Sequence, residues 1–131
     1  MDSGSRQVLT YLLVIAFACV EGITHAILWS RKGSYAFKWN EHVVFVVSRI
    51  LFGGAIMLAG SWSGLIAGGL AYPFFHNGFY YSWRNKIDGS YPDKFTAQSE
   101  TSSARFNFGF TLRLILSIVS VAVMIFLFIH K

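Results

Sequence analysis

The chain of 131 residues holds one cysteine, Cys19, and two prolines, Pro73 and Pro92. A lone cysteine excludes an intramolecular disulfide and any Cys-rich metal site. Charge is scarce as well: Asp, Glu, Lys and Arg make up 13% of the residues, against about 25% in an ordinary soluble domain. The signatures of soluble enzymes are missing too, since the sequence has no phosphate-cradling glycine loop, nucleophile elbow, HExxH pair or nucleic-acid motif. What is present is apolar. Hydrophobic residues reach 54% and the mean hydropathy is +0.50, so lipid is the expected solvent for much of the chain. Aromatics make up 18%, and many Trp and Tyr stand near the ends of apolar runs, where amphipathic rings favour the headgroup layer.

At about 20 residues per crossing, four segments are long enough to span the hydrocarbon layer. They cover about residues 8–29, 39–59, 62–81 and 106–129, with 82–105 as the one substantial extramembrane loop. The expected fold class is therefore all-α, an integral membrane four-helix transmembrane bundle forming one domain over residues 1–131. Arg6 and Ala16-Phe17-Ala18 also fit a signal peptide, with Cys19 following as in a weak lipobox, but apolarity resumes beyond Glu21. Pro73 is expected to kink the third segment and free a carbonyl. Asp88-Gly89 and Tyr91-Pro92-Asp93 read as turns, with a helix cap following at Ser102 or Ser103. Gly60, Gly64 and Gly68 repeat at helical spacing, a pattern that lets another helix approach closely; a second copy or a larger membrane complex is the expected occupant.

Net charge is +5, with Lys and Arg mostly in loops beside apolar segments, so the expected partner is the anionic lipid bilayer and not nucleic acid. Arg31, Lys32, Lys38, Arg84, Lys86, Lys94 and Arg105 belong to the two loops, against Arg6 and Lys131 at the termini. Loops 30–38 and 82–105 are accordingly expected to be cytoplasmic, with both termini on the opposite side.

Counted inward from the loop face, Glu21, Arg49 and Arg113 fall at one level, roughly 12–15 Å down. Unpaired charge at that depth is costly, so the three are expected to face one another inside the bundle. His25, His42 and His76 form a shallower layer, and each helix offers one polar stripe toward the same leaflet: Glu21 with His25, His42 with Arg49, His76 with Tyr80 and Arg84, and Gly109 with Arg113, Ser117 and Ser120.

Glu21, Arg49, Arg113, Tyr80 and Arg84 are thus the candidate ligand-binding residues, for an anionic lipid-like molecule. His25, His42, His76 and Glu41 are candidate ligands of a divalent metal, because imidazole and carboxylate suit zinc, iron or manganese. Two of the same histidines holding a b-type haem is a weaker expectation. A membrane-embedded enzyme remains open, with no residue assigned a catalytic role. Two other readings stand beside binding. In the first, Glu21 is the proton or cation site of a small transporter; in outline, four helices with one acidic residue in the first resemble the small multidrug transporters, although Arg49, Arg113 and the long third loop depart from that pattern. In the second, the chain is a structural accessory subunit whose polar layers fix helix packing.

Overall fold

The structure, a computed structural model, describes residues 2–32, 41–89, 95–96 and 108–130, with side chains described for all of these except 31–32, 41–44 and 57–59. Four α-helices account for nearly all of it: α1 (Ser3–Lys32), α2 (Glu41–Ala59), α3 (Trp62–Ile87) and α4 (Phe110–Ile129). No strand occurs among the described residues.

The helix ends follow local chemistry. Helix α1 begins five residues before the expected start, because Asp2 Oδ1 accepts the Ser5 N–H at 2.6 Å and satisfies one of the orphan donors of the first turn. Helix α3 runs to Ile87, six residues beyond the expected end. Residues 82–87 contain neither Gly nor Pro, and the helix stops at Asp88-Gly89, where Asp88 N–H makes a last bond to Arg84 O at 2.8 Å. It continues through Pro73, which leaves the Gly69 carbonyl without its helical donor. Helix α4 begins at Phe110, with Arg113 N–H bonded to Gly109 O at 3.1 Å. The expected cap at Ser102 or Ser103 lies outside the described residues.

Helices α1 and α4 are long and apolar enough to cross a membrane, whereas α2 has a shorter apolar stretch, Phe45–Ile56, and the second half of α3 carries His76, Asn77, Arg84 and Asn85.

Direction follows from which residues meet. Thr10, His25 and Ser30 of α1 bond to Ser61, His76 and Arg84, so α1 and α3 run parallel. Phe17 stacks on Phe52, Glu21 pairs with Arg49 and His25 packs on Phe45, so α2 is antiparallel to α1. Phe74 meets Phe110 and Ser120 bonds the carbonyl of Ala67, which sets α4 antiparallel to α3.

The tightest pairing is α1 with α3, and glycine is the reason. A Cβ on Gly68 would meet Val14 Cβ at 2.7 Å, one on Gly64 would meet Thr10 Cβ at 2.9 Å and the Gln7 carbonyl oxygen, and one on Gly60 would meet the Thr10 hydroxyl. The stripe expected to receive a second copy or a larger complex is instead filled by α1 of the same chain, because only a side-chain-free face lets two parallel helices approach this closely.

Polarity runs inside out. The buried apolar residues are small or branched, namely Val14, Ala18, Ala26, Ile56, Ala67 and Ala71, while Gln7, Thr10, Glu21, Arg84, Arg113 and Ser120 are buried beside them. Ile50, Leu51, Ile66, Ile118, Phe126 and Ile129 are among many large apolar side chains on the outer surface. In water that distribution would leave a large apolar exterior uncovered.

Candidate functional site

The site grows from the close α1 to α3 contact. A Cβ on Gly22 would collide with the backbone of His76, so nothing but backbone separates the two helices there. Glu21 and His25 lie one turn apart on α1, and the His76 imidazole reaches between them. Its Nε2 is 3.1 Å from His25 Nδ1 and 3.9 Å from Glu21 Oε2. Its Nδ1 faces Asn77 Oδ1 at 2.9 Å. An amide oxygen only accepts, so Nδ1 of His76 carries the proton, and in the neutral ring Nε2 is the acceptor, facing His25 Nδ1. Glu21 of the deeper expected layer is therefore continuous with His25 and His76 of the shallower one.

Helix α2 adds the cation. Arg49 Nε donates to both oxygens of Glu21, at 3.1 and 3.0 Å, with the carboxylate side chain 5% exposed and that of Arg49 40% exposed. The guanidinium lies over the Tyr72 ring, 5.3 Å from its centroid, and Tyr72 stacks on His76 at 5.4 Å and 14°. Phe45 covers the other side of His25, with centroids 3.6 Å apart. The result is one carboxylate, one guanidinium and two imidazoles bedded in rings. Arg49 uses only Nε for these bonds; among the described residues its two terminal nitrogens make none.

Other sequence candidates lie elsewhere. Arg113 is fully buried, but its guanidinium sits 5.8 Å from the Tyr81 centroid and 5.7 Å from that of Phe110 instead of facing Glu21. The reason is angular: at 3.6 residues per turn, Tyr81 points about 140° away from His76 around α3. Depth alone could not separate those two flanks. Arg84 does not reach into a cavity mouth; it is buried inside α3, and its Nη1 donates to Ser30 Oγ at 2.9 Å, tying α3 to α1. The Tyr80 ring packs edge-on to Tyr81, 5.2 Å away.

Of the four metal candidates, the structure describes the side chains of His25 and His76, which meet at 3.1 Å. Glu41 and His42 open α2 with their side chains outside the described residues. His25 and His76 share a proton, which occupies the lone pair on Nε2 that a metal would need. Among the described residues no group of three or more His, Cys, Asp or Glu is placed to hold a metal ion.

Tyr72 and Phe45 belong to the cluster and were not singled out from the sequence. The i,i+4 spacing of Tyr72 with His76 was the available signal for the first. Comparison with family models, curated proteins and solved structures finds no match to this chain.

Proposed function

We propose that this chain is a polytopic membrane protein whose four helices all cross the bilayer, and that the cluster of Arg49, Glu21, His76 and His25 receives the anionic head of a lipid-like molecule. The crossings of α1 and α4 rest on their length and apolarity. Helix α2, at 19 residues, is about 28 Å long, close to the roughly 30 Å of the hydrocarbon layer. Helix α3 lies parallel to α1 along the same span, with His76 and Arg84 turned inward. Cytoplasmic loops at 30–38 and 82–105 remain the orientation favoured by the basic bias; Arg84 drops out of the count because it is buried, while Arg31, Lys32 and Lys86 at the loop-side helix ends and Lys38, Lys94 and Arg105 still outnumber Arg6 and Lys131.

The observation that carries the ligand reading is the half-used guanidinium of Arg49. Each unsatisfied donor in hydrocarbon costs several kcal/mol. A carboxylate or phosphate presents two oxygens at the spacing of a guanidinium edge, and bidentate pairing is what this side chain does best. Gly53, one turn further along α2, has open space where a Cβ would stand, which leaves room for an apolar tail.

The test is binding of oleate and dodecyl phosphate to protein in phosphatidylcholine nanodiscs, with oleyl alcohol as the uncharged control. A charged hydrogen bond contributes roughly 1.5–3 kcal/mol, so Arg49→Ala should weaken both anions by about 10- to 150-fold. Equal affinity in the variant, or equal binding of the alcohol, refutes the reading.

A further inference from the structure

We infer that binding of an anion at Arg49 draws one proton into the cluster, and that His76 holds it. The inference rests on the anion site proposed above and adds what must accompany occupancy.

The first argument is charge balance. With both imidazoles in their neutral forms, the cluster contains one carboxylate, Glu21, and one guanidinium, Arg49, in contact. Adding an anion leaves a net charge of −1 beside the buried Glu21 carboxylate, where uncompensated charge is expensive. One proton from water restores neutrality: guanidinium against ligand, imidazolium against Glu21.

The second argument is geometric. Nε2 of His76 has two competing neighbours, His25 Nδ1 at 3.1 Å and Glu21 Oε2 at 3.9 Å. While Nε2 is bare it accepts from His25. Once protonated it can only donate, and the Glu21 carboxylate is the charged acceptor beside it, a closure of about 1 Å away from ordinary hydrogen-bond length. Glu21 then has a new cationic partner and holds Arg49 less firmly, turning the guanidinium toward the ligand. No bond other than these hydrogen bonds is made or broken; the proton comes from bulk water and returns there when the anion leaves.

The charged and titratable groups around His76 fit this exchange. Helix α1 presents Glu21 and His25, α2 presents Arg49, and Tyr72 stacks on the ring from α3 itself. Tyr80, the next residue on that face of α3, is engaged with Tyr81, and Arg113 of α4 sits beside Tyr81 and Phe110 on the far flank of α3.

The experiment uses dodecyl sulfonate below its micellar concentration as the probe, because its head carries no titratable proton. Its affinity for the full chain in phosphatidylcholine nanodiscs is measured from pH 6 to 8. Uptake of one proton makes the association constant fall by up to about tenfold per pH unit. His76→Gln should bind weakly at every pH, and Glu21→Gln tightly at every pH, since its cluster is neutral with ligand and no proton. Opposite effects from two touching residues would not come from a packing role.

If the wild-type protein binds the sulfonate with an affinity that ignores pH, the proton coupling is overturned and the Arg49 site stands. Folded wild-type protein that binds neither the sulfonate nor oleate overturns the site and the coupling together. Should His76→Gln fail to fold, Glu21→Gln decides alone: a retained pH slope overturns the inference. A slope retained in a folded His76→Gln overturns the assignment of the proton to His76.

Discussion

Gly22→Ala and Gly69→Ala are the same chemical change in two helix interiors, and they should move stability in opposite directions. Replacing glycine by alanine in mid-helix gains about 0.8–1.0 kcal/mol of propensity wherever the methyl has room. Gly69 is exposed, with nothing within 4 Å of the Cβ position, so that gain should appear nearly whole. At Gly22 the added Cβ would collide with the His76 carbonyl oxygen and approach His76 C and Tyr80 N to 3.2 Å each. All three are backbone atoms of α3 and cannot rotate aside, so α1 and α3 must part. Overpacking of this kind costs about 1–3 kcal/mol. Because the propensity gain is common to both variants, it cancels, and the two proteins should differ by that amount. Unfolding by sodium dodecyl sulfate titrated into dodecyl maltoside micelles, followed by far-ultraviolet circular dichroism, reads the difference directly. Gly22→Ala as stable as Gly69→Ala would refute the intimate α1 to α3 contact on which the whole site depends.

Two further outcomes follow from the side-chain geometry. Arg49→Met alone leaves the buried Glu21 carboxylate with only the His76 imidazole, 3.9 Å away, and should lose about 3 kcal/mol in the same unfolding assay, the low end for a broken buried pair because Arg49 is part-exposed; Glu21→Leu with Arg49→Met should recover most of it, and simple addition of the single losses would refute the pair. The Phe95 ring occupies the space of a Cβ on Gly78, between Phe74 and Phe79. Gly78→Leu and Phe95→Ala should each lose about 1–2 kcal/mol, less than a core phenylalanine, and together scarcely more than either; independent losses would show that the ring is not seated there.

Much of the site was legible because these helices bury polar residues and expose large apolar ones. Glu21 and Arg49 were paired from depth alone, and the structure joins them at 3.0 Å. The i,i+4 spacing placed His25 beside Glu21, and His76 joins both. Arg113 shows the limit of the same reasoning. It has the expected burial and the wrong neighbours, because depth is one coordinate and the rotation of a helix about its axis is another.

The sequence by itself determined that the chain is helical, which stretches are apolar, and which residues share a helix face, since these depend on local propensity and on a period of 3.6 residues. Only the tertiary structure decided which faces meet. Gly60, Gly64 and Gly68 announced a close contact without naming its partner, and α1 proved to be that partner. The parallel stagger of α1 and α3 then set His76 between Glu21 and His25, a placement governed by where glycine lets two backbones touch and by nothing in the spacing of either helix alone.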